Sequence, residues 1–174
     1  LDQLGRKMLE LEGANSAPEI TYNFPGATCI SVAPDCGTAK PQIERLCRDG
    51  RRAMWAGIRA VRPGGKLNEI GKAIQGFADK NGYTLVTNLA SHGVGRSLHD
   101  DPGEIPTWWE PHDRRRIHEG LVFTIEPFLS LGADWVEEGD DGWTLTPPGH
   151  EPTVQYEHTL VATRRGPVIL TLGA

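Results

Sequence analysis

Cysteine is scarce: the 174 residues contain three, an odd number with no Cys-x-x-Cys pair. That argues against a disulfide framework and suits a reducing compartment, so the cytoplasm is the expected location. Positive charge is not in excess either. With a formal net charge of -5 the chain has no general electrostatic footprint for nucleic acid, and the run Arg45, Arg48, Arg51 and Arg52 reads as a solvated helix face. No apolar run approaches the roughly 18 residues that a membrane-spanning helix needs, so no membrane partner is expected. Also missing are a GxSxG elbow, an HExxH pair and a Walker loop, which removes the local signals of serine hydrolases, zincins and P-loop enzymes. There is no tandem repeat and no low-complexity tract.

The length suits one domain over 1–174, with enough chain to bury a core unaided by disulfides. Leu1, Leu4, Met8 and Leu11 recur at helical spacing before Gly13, giving an amphipathic first helix and not a signal peptide. ITYNFPGATCISV then predicts extended segments bent at Pro25 and Gly26. A long helix is expected from Pro41 to Ala60, with Ile43, Leu46, Cys47, Met54, Ile58 and Val61 on one stripe. Another follows from about Leu67 to Asn81, closed by Gly82. Tyr83–Val86, Leu121–Ser130 and Val154–Thr163 read as strands, and Gly103–His118 as a long surface loop carrying Trp108 and Trp109. Early helices and late strands predict an α+β domain with helices packed on a mainly antiparallel sheet.

Chemistry concentrates in three places. SHGVGRSLHDDP, Ser91 to Pro102, holds His92 and His99 around two glycines, while LVFTIEPFLS and VQYEHTLVAT each carry one carboxylate in an apolar setting. Strand alternation puts Val122, Thr124 and Glu126 on one face, and Gln155, Glu157 and Thr159 on one face of the other strand. A desolvated carboxylate needs a cation, a proton or several donors. A divalent ion would satisfy both glutamates, and His92 is the natural third ligand, a set suited to Mn, Fe, Co or Zn. The residues alone leave the bland reading open: His92 as a hydrogen-bonded core histidine, and the glutamates paired with an arginine such as Arg96. His99 suits a substrate-facing role or a plain hydrogen bond, and His158 a structural one. Trp143 reads as core or pocket wall, and Cys29 as a small buried residue more than a nucleophile.

Taken in order, HGVGRSLHDDP, EGLVFTIEPF, DGWT and QYEHTLVAT resemble the methionine aminopeptidases of the bacterial short type, and FPGATCISV resembles that family's first pocket strand. The resemblance covers nearly the whole chain. It implies a pita-bread α+β fold, two divalent metal ions, and removal of methionine from the N-terminal peptide of nascent proteins. By motif, His92 and Glu126 would ligate one metal and Glu157 would bridge both. His99 would contact the scissile amide and Glu126 would shuttle the proton. Phe24, Cys29, Leu98 and Trp143 would line the methionine pocket.

One departure accompanies these matches. After the CISV strand the family carries a further segment with a His-Gly-Ile-Pro motif and two aspartate ligands, whereas here CISV runs into APDCGTAKPQIERLC. A segment between about 32 and 41 is therefore lacking, and Asp35 stands nearest to the second aspartate. Without that segment one metal is expected in place of two. The rival expectations are a catalytically impaired pita-bread module that binds peptides or a partner, and a proline-directed aminopeptidase of the same fold. A monomer is favoured.

Overall fold

The computed structural model describes residues 1–28 and 40–172. Cys29 and Asp35 lie outside them, as does most of the junction from 32 to 41. The chain divides into two compact units, Leu1–Ala39 with Glu138–Thr144, and Lys40–Glu137 with Leu145–Ala174.

In the first unit, α1 (Asp2–Leu11) is the expected amphipathic helix, and Gly13 follows its end at φ 65°. Its apolar stripe, Leu1, Leu4, Met8 and Leu11, is exposed. The extended segment expected at Ile20–Tyr22 is instead the short helix α2 (Ala17–Tyr22). Ser16 explains the change. Its hydroxyl accepts from the Glu19 amide at 3.3 Å and donates to Ala27 O at 2.9 Å, Pro18 fits the first turn, and Asn23 ends the helix in the left-handed region. A cap and a proline thus override the β-branched pair Ile20 and Thr21.

The second unit packs two helices on antiparallel sheets. Helix α3 (Pro41–Ala60) has the predicted bounds, and α4 (Asn68–Asn81) stops at Gly82, φ 75°. Leu46, Met54, Ile58, Ile70 and Ile74 from these helices meet Phe123, Ile125, Leu129 and Leu160 from the strands in one core. The helices approach closely because Gly57 has no side chain; a Cβ there would lie 2.8 Å from Ile74 and 3.1 Å from Ile125.

The strands are β1 (Thr84–Leu85), β2 (Ser91–Gly93), β3 (Asp100–Ile105), β4 (Val122–Ile125), β5 (Phe128–Ser130), β6 (Glu137–Glu138), β7 (Leu145–Thr146), β8 (Thr153–Gln155), β9 (His158–Thr163) and β10 (Gly166–Ile169). Five form one sheet in the order β10-β9-β4-β2-β3, and β1-β5-β8 form another. Each long strand expected from the sequence is therefore two. Leu121–Ser130 breaks at Glu126-Pro127 and Val154–Thr163 at Tyr156-Glu157, so both leave one sheet and enter the other. The expected surface loop Gly103–His118 is also corrected, since its start belongs to β3 and Ile105, Thr107 and Ile117 are buried.

The arginine run on α3 is not only a solvated face. Asp49, 2% exposed, is held by Arg52 at 2.9 Å and Arg45 at 3.5 Å, and accepts from the Tyr83 hydroxyl at 3.0 Å. Burial alone would raise the Asp49 pKa, but the hydrogen bonds from Arg52 and Tyr83 and the Arg52 charge outweigh it and leave it lowered. A lowered carboxylate stabilises the fold above its unfolded value near 3.8 and loses that contribution as pH falls through the folded value. Asp49→Asn should therefore cost about 1–3 kcal/mol at neutral pH. Urea titrations should show parent and variant converging below pH 4.

No helix among the described residues is long and apolar enough to cross a membrane.

Candidate metal centre

The two strand breaks lie opposite each other. Register pairs Thr124 with Thr159 and Ile125 with His158 in one sheet, and Phe128 with Gln155 in the other. Counting inward from both sides sets Glu126 across from Glu157. Like charges so placed repel. The amide of Gln155 lies between them, with Nε2 3.4 Å from Glu126 Oε2 and 3.2 Å from Glu157 Oε2.

His92 enters from β2. Its Nε2 is 3.4 Å from Glu126 Oε1, with both side chains 12% exposed. Nδ1 lies 2.9 Å from Gly93 O, which favours the tautomer protonated at Nδ1 and leaves an Nε2 lone pair facing the carboxylate. The His99 ring meets the His92 ring edge-on at 4.1 Å, and desolvation followed by repulsion from His92 lowers its pKa. His99 is thereby kept neutral at neutral pH.

Glu126 carries the largest perturbation. Burial first, then the Glu157 charge, raise its pKa to about 7, against opposing hydrogen bonds from Thr124 and Gln155. A raised carboxylate binds more protons folded than unfolded between about 4.5 and 7, so it makes stability fall as pH rises through that window. Glu126→Gln should abolish this fall in the metal-free protein. Urea melts between pH 5 and 8, with chelator present, would show it.

The expected shared faces are present in the strands. Thr124 Oγ1 donates to Glu126 Oε1 at 2.6 Å on their common face, and Gln155 shares its face with Glu157. His158 is engaged elsewhere, with Nδ1 2.9 Å from Thr171 Oγ1 and its ring against Trp55. Phe24 and Trp143 meet edge-on at 5.9 Å in the first unit, whereas Leu98 belongs to the second. Sequence reasoning gave no role to Ser91 and Thr124, whose hydroxyls accept from the Glu126 and His92 amides, or to Gln155, whose amide bridges the two carboxylates. The motif alternation itself was the available signal for the last two.

An imidazole nitrogen fixed in tautomer, a desolvated carboxylate and a second carboxylate across from it are donors that fit a first-row divalent ion. The fit is incomplete: among the described residues, no three His, Cys, Asp or Glu side chains are gathered closely enough to hold one.

Residues 20–164 match the model of metallopeptidase family M24. The chain belongs to this family. Methionine aminopeptidase 2 of Bacillus subtilis is 32% identical, matching 98% of the chain and 84% of the relative. That match runs over 209 residues, more than the chain possesses, so the relative has residues within the matched stretch that this M24 member lacks. Methionine aminopeptidase of Salmonella typhimurium is 38% identical over 76% of the chain and 51% of the relative. The methionine aminopeptidase structure from Rickettsia prowazekii superposes with a TM-score of 0.74 at 37% identity, covering 78% of the chain and 55% of that structure. The chain thus spans just over half of that solved relative. An X-Pro aminopeptidase from Thermotoga maritima, 16% identical with a TM-score of 0.57, shares the fold alone. These likenesses establish the pita-bread architecture and divalent metal use as properties of the family.

Proposed function

We propose that this M24 member is a metal-dependent aminopeptidase that removes N-terminal methionine from nascent proteins. The observation that carries the reading is the opposed pair Glu126 and Glu157 beside His92, in a chain related to methionine aminopeptidases along nearly its whole length. His92, Glu126 and Glu157 would hold the ion, with Asp35 a further candidate outside the described residues. Manganese, iron, cobalt and zinc all suit these donors; two ions follow from the family and one if the segment between 32 and 41 is lacking. A bound divalent ion supplies charge that polarises a carbonyl and favours deprotonated water.

The chain's own groups supply the rest. Neutral His99 can donate to or accept from the scissile amide, and Glu126 is the carboxylate assigned to take up and return the proton. Leu98, in the same unit as His92 and Glu126, is proposed to meet the substrate's methionine side chain. The substrate is the N-terminal peptide of a nascent chain met in the cytoplasm by a monomer.

Hydrolysis of a methionyl tripeptide, measured with and without added Mn or Co, tests this. Metal-dependent release of methionine supports the reading. No turnover in metal-loaded protein favours the second reading, an impaired module that binds peptides, which the lack of a complete ligand triad among the described residues supports. Preferential cleavage before proline would instead indicate the proline-directed alternative.

A further inference from the structure

The ligand-bearing strand β2 and its neighbour β4 share a single backbone register pair, Gly93 with Phe123. Beyond it, two side-chain hydroxyls continue the ladder. The His92 amide donates to Thr124 Oγ1 at 3.0 Å, and the Glu126 amide donates to Ser91 Oγ at 3.0 Å. Ser91 and Thr124 are both buried, at 0% and 1% exposure, so neither hydroxyl exchanges partners freely with water. Two of the three proposed ligand residues, His92 and Glu126, are thus tied through their own amides to a hydroxyl on the opposite chain segment.

Thr124 does more than this. Its one proton has two acceptors in reach, Glu126 Oε1 at 2.6 Å and His92 O at 3.4 Å, and the shorter contact wins. The same oxygen therefore receives the His92 backbone and directs the Glu126 carboxylate. Oε1 is also the carboxylate atom that faces His92 Nε2.

We propose that Thr124 is a positioning residue of the metal centre, whose hydroxyl sets the Glu126 carboxylate against the His92 imidazole. The proposal rests on the metallo-aminopeptidase reading and extends it to a residue that itself ligates nothing. A valine at this position keeps the shape and the β-branched packing but can neither accept from His92 nor donate to Glu126. A serine keeps the hydroxyl and loses only a methyl group.

The test is calorimetric titration of Co(II) into parent, Thr124→Val and Thr124→Ser, with Co(II) absorption spectra and melting temperatures alongside. Residues that orient metal ligands typically change affinity by about 10–100-fold. The valine variant should bind at least about 10-fold more weakly with altered absorption bands, and the serine variant should stay within about 3-fold of the parent. Valine binding equal to the parent's overturns the proposal even if its melting temperature falls, because the hydroxyl would then serve the fold alone. Equal weakening in both variants also overturns it, since the site would then respond to any change of packing at this position and not to the hydroxyl. If the valine variant does not fold, Thr124→Ala, which also removes the hydroxyl and adds no metal-binding group, replaces it with the same outcomes. A parent that binds no Co(II) overturns the metal-site reading and this proposal with it, a result distinct from the others.

Discussion

Glu126→Ala should lower methionyl-peptide turnover by about 1000-fold or more and sharply weaken Mn and Co binding, because on the proposed reading one substitution removes both a ligand and a proton carrier. Ser91 accepts from the amide of this residue, Thr124 and Gln155 hold its two side-chain oxygens, and Glu157 stands across from it. Glu126→Gln separates loss of chemistry from loss of fold. It preserves the shape and removes the charge, so it should lose turnover while melting no lower than the parent in chelator, since the parent's charged carboxylate has no cation there. Steady-state kinetics with metal, and melting curves without it, distinguish loss of chemistry from loss of fold. Alanine turnover within 10-fold of the parent's would remove Glu126 from the mechanism.

Gly93→Ala should have the largest structural effect near the site. Gly93 is where β2 meets β3 and β4, opposite Asp100 and Phe123. A Cβ there would lie 2.5 Å from Asp101 O and 2.7 Å from Asp100 O, and these are backbone atoms that cannot rotate away. The strands would have to separate, at a cost of about 1–3 kcal/mol or more. For a chain of this size that is a fall of roughly 5–10 °C in Tm. Metal affinity should fall with it, because His92 is the preceding residue. Gly76→Ala is the matched control. In α4 its Cβ would meet nothing, so alanine should stabilise the helix by roughly 0.5–1 kcal/mol. A Gly93→Ala protein as stable as the parent would mean that β3 has freedom to move.

Much of the site was legible because period-two alternation depends only on local backbone geometry. It placed Thr124 with Glu126 and Gln155 with Glu157 before any contact was known, and it turned His158 away from them. The opposition of Glu126 and Glu157 was harder, since register is a property of two segments. Pro127 was the available hint: a proline is poorly tolerated inside a central strand, so Leu121–Ser130 was unlikely to be continuous. Helix α2 was misread because Ile20 and Thr21 favour strands, while the decisive Ser16 contact reaches across to Ala27. Asp49 was overlooked for a similar reason. Its partner Tyr83 is 34 positions away, and only the folded chain closes that distance.

On the proposed reading a metal sits between groups that repel each other without one. That view ties the raised Glu126 pKa, the bridging Gln155 amide and the opposed carboxylates to a single cause. Crystals soaked with Mn(II) and measured at the manganese edge test it most directly. The account predicts an anomalous peak about 2.0–2.3 Å from His92 Nε2 and a Glu126 oxygen, with Glu157 in the same coordination shell. A peak bound elsewhere on the chain, in protein that hydrolyses methionyl peptides, would contradict it.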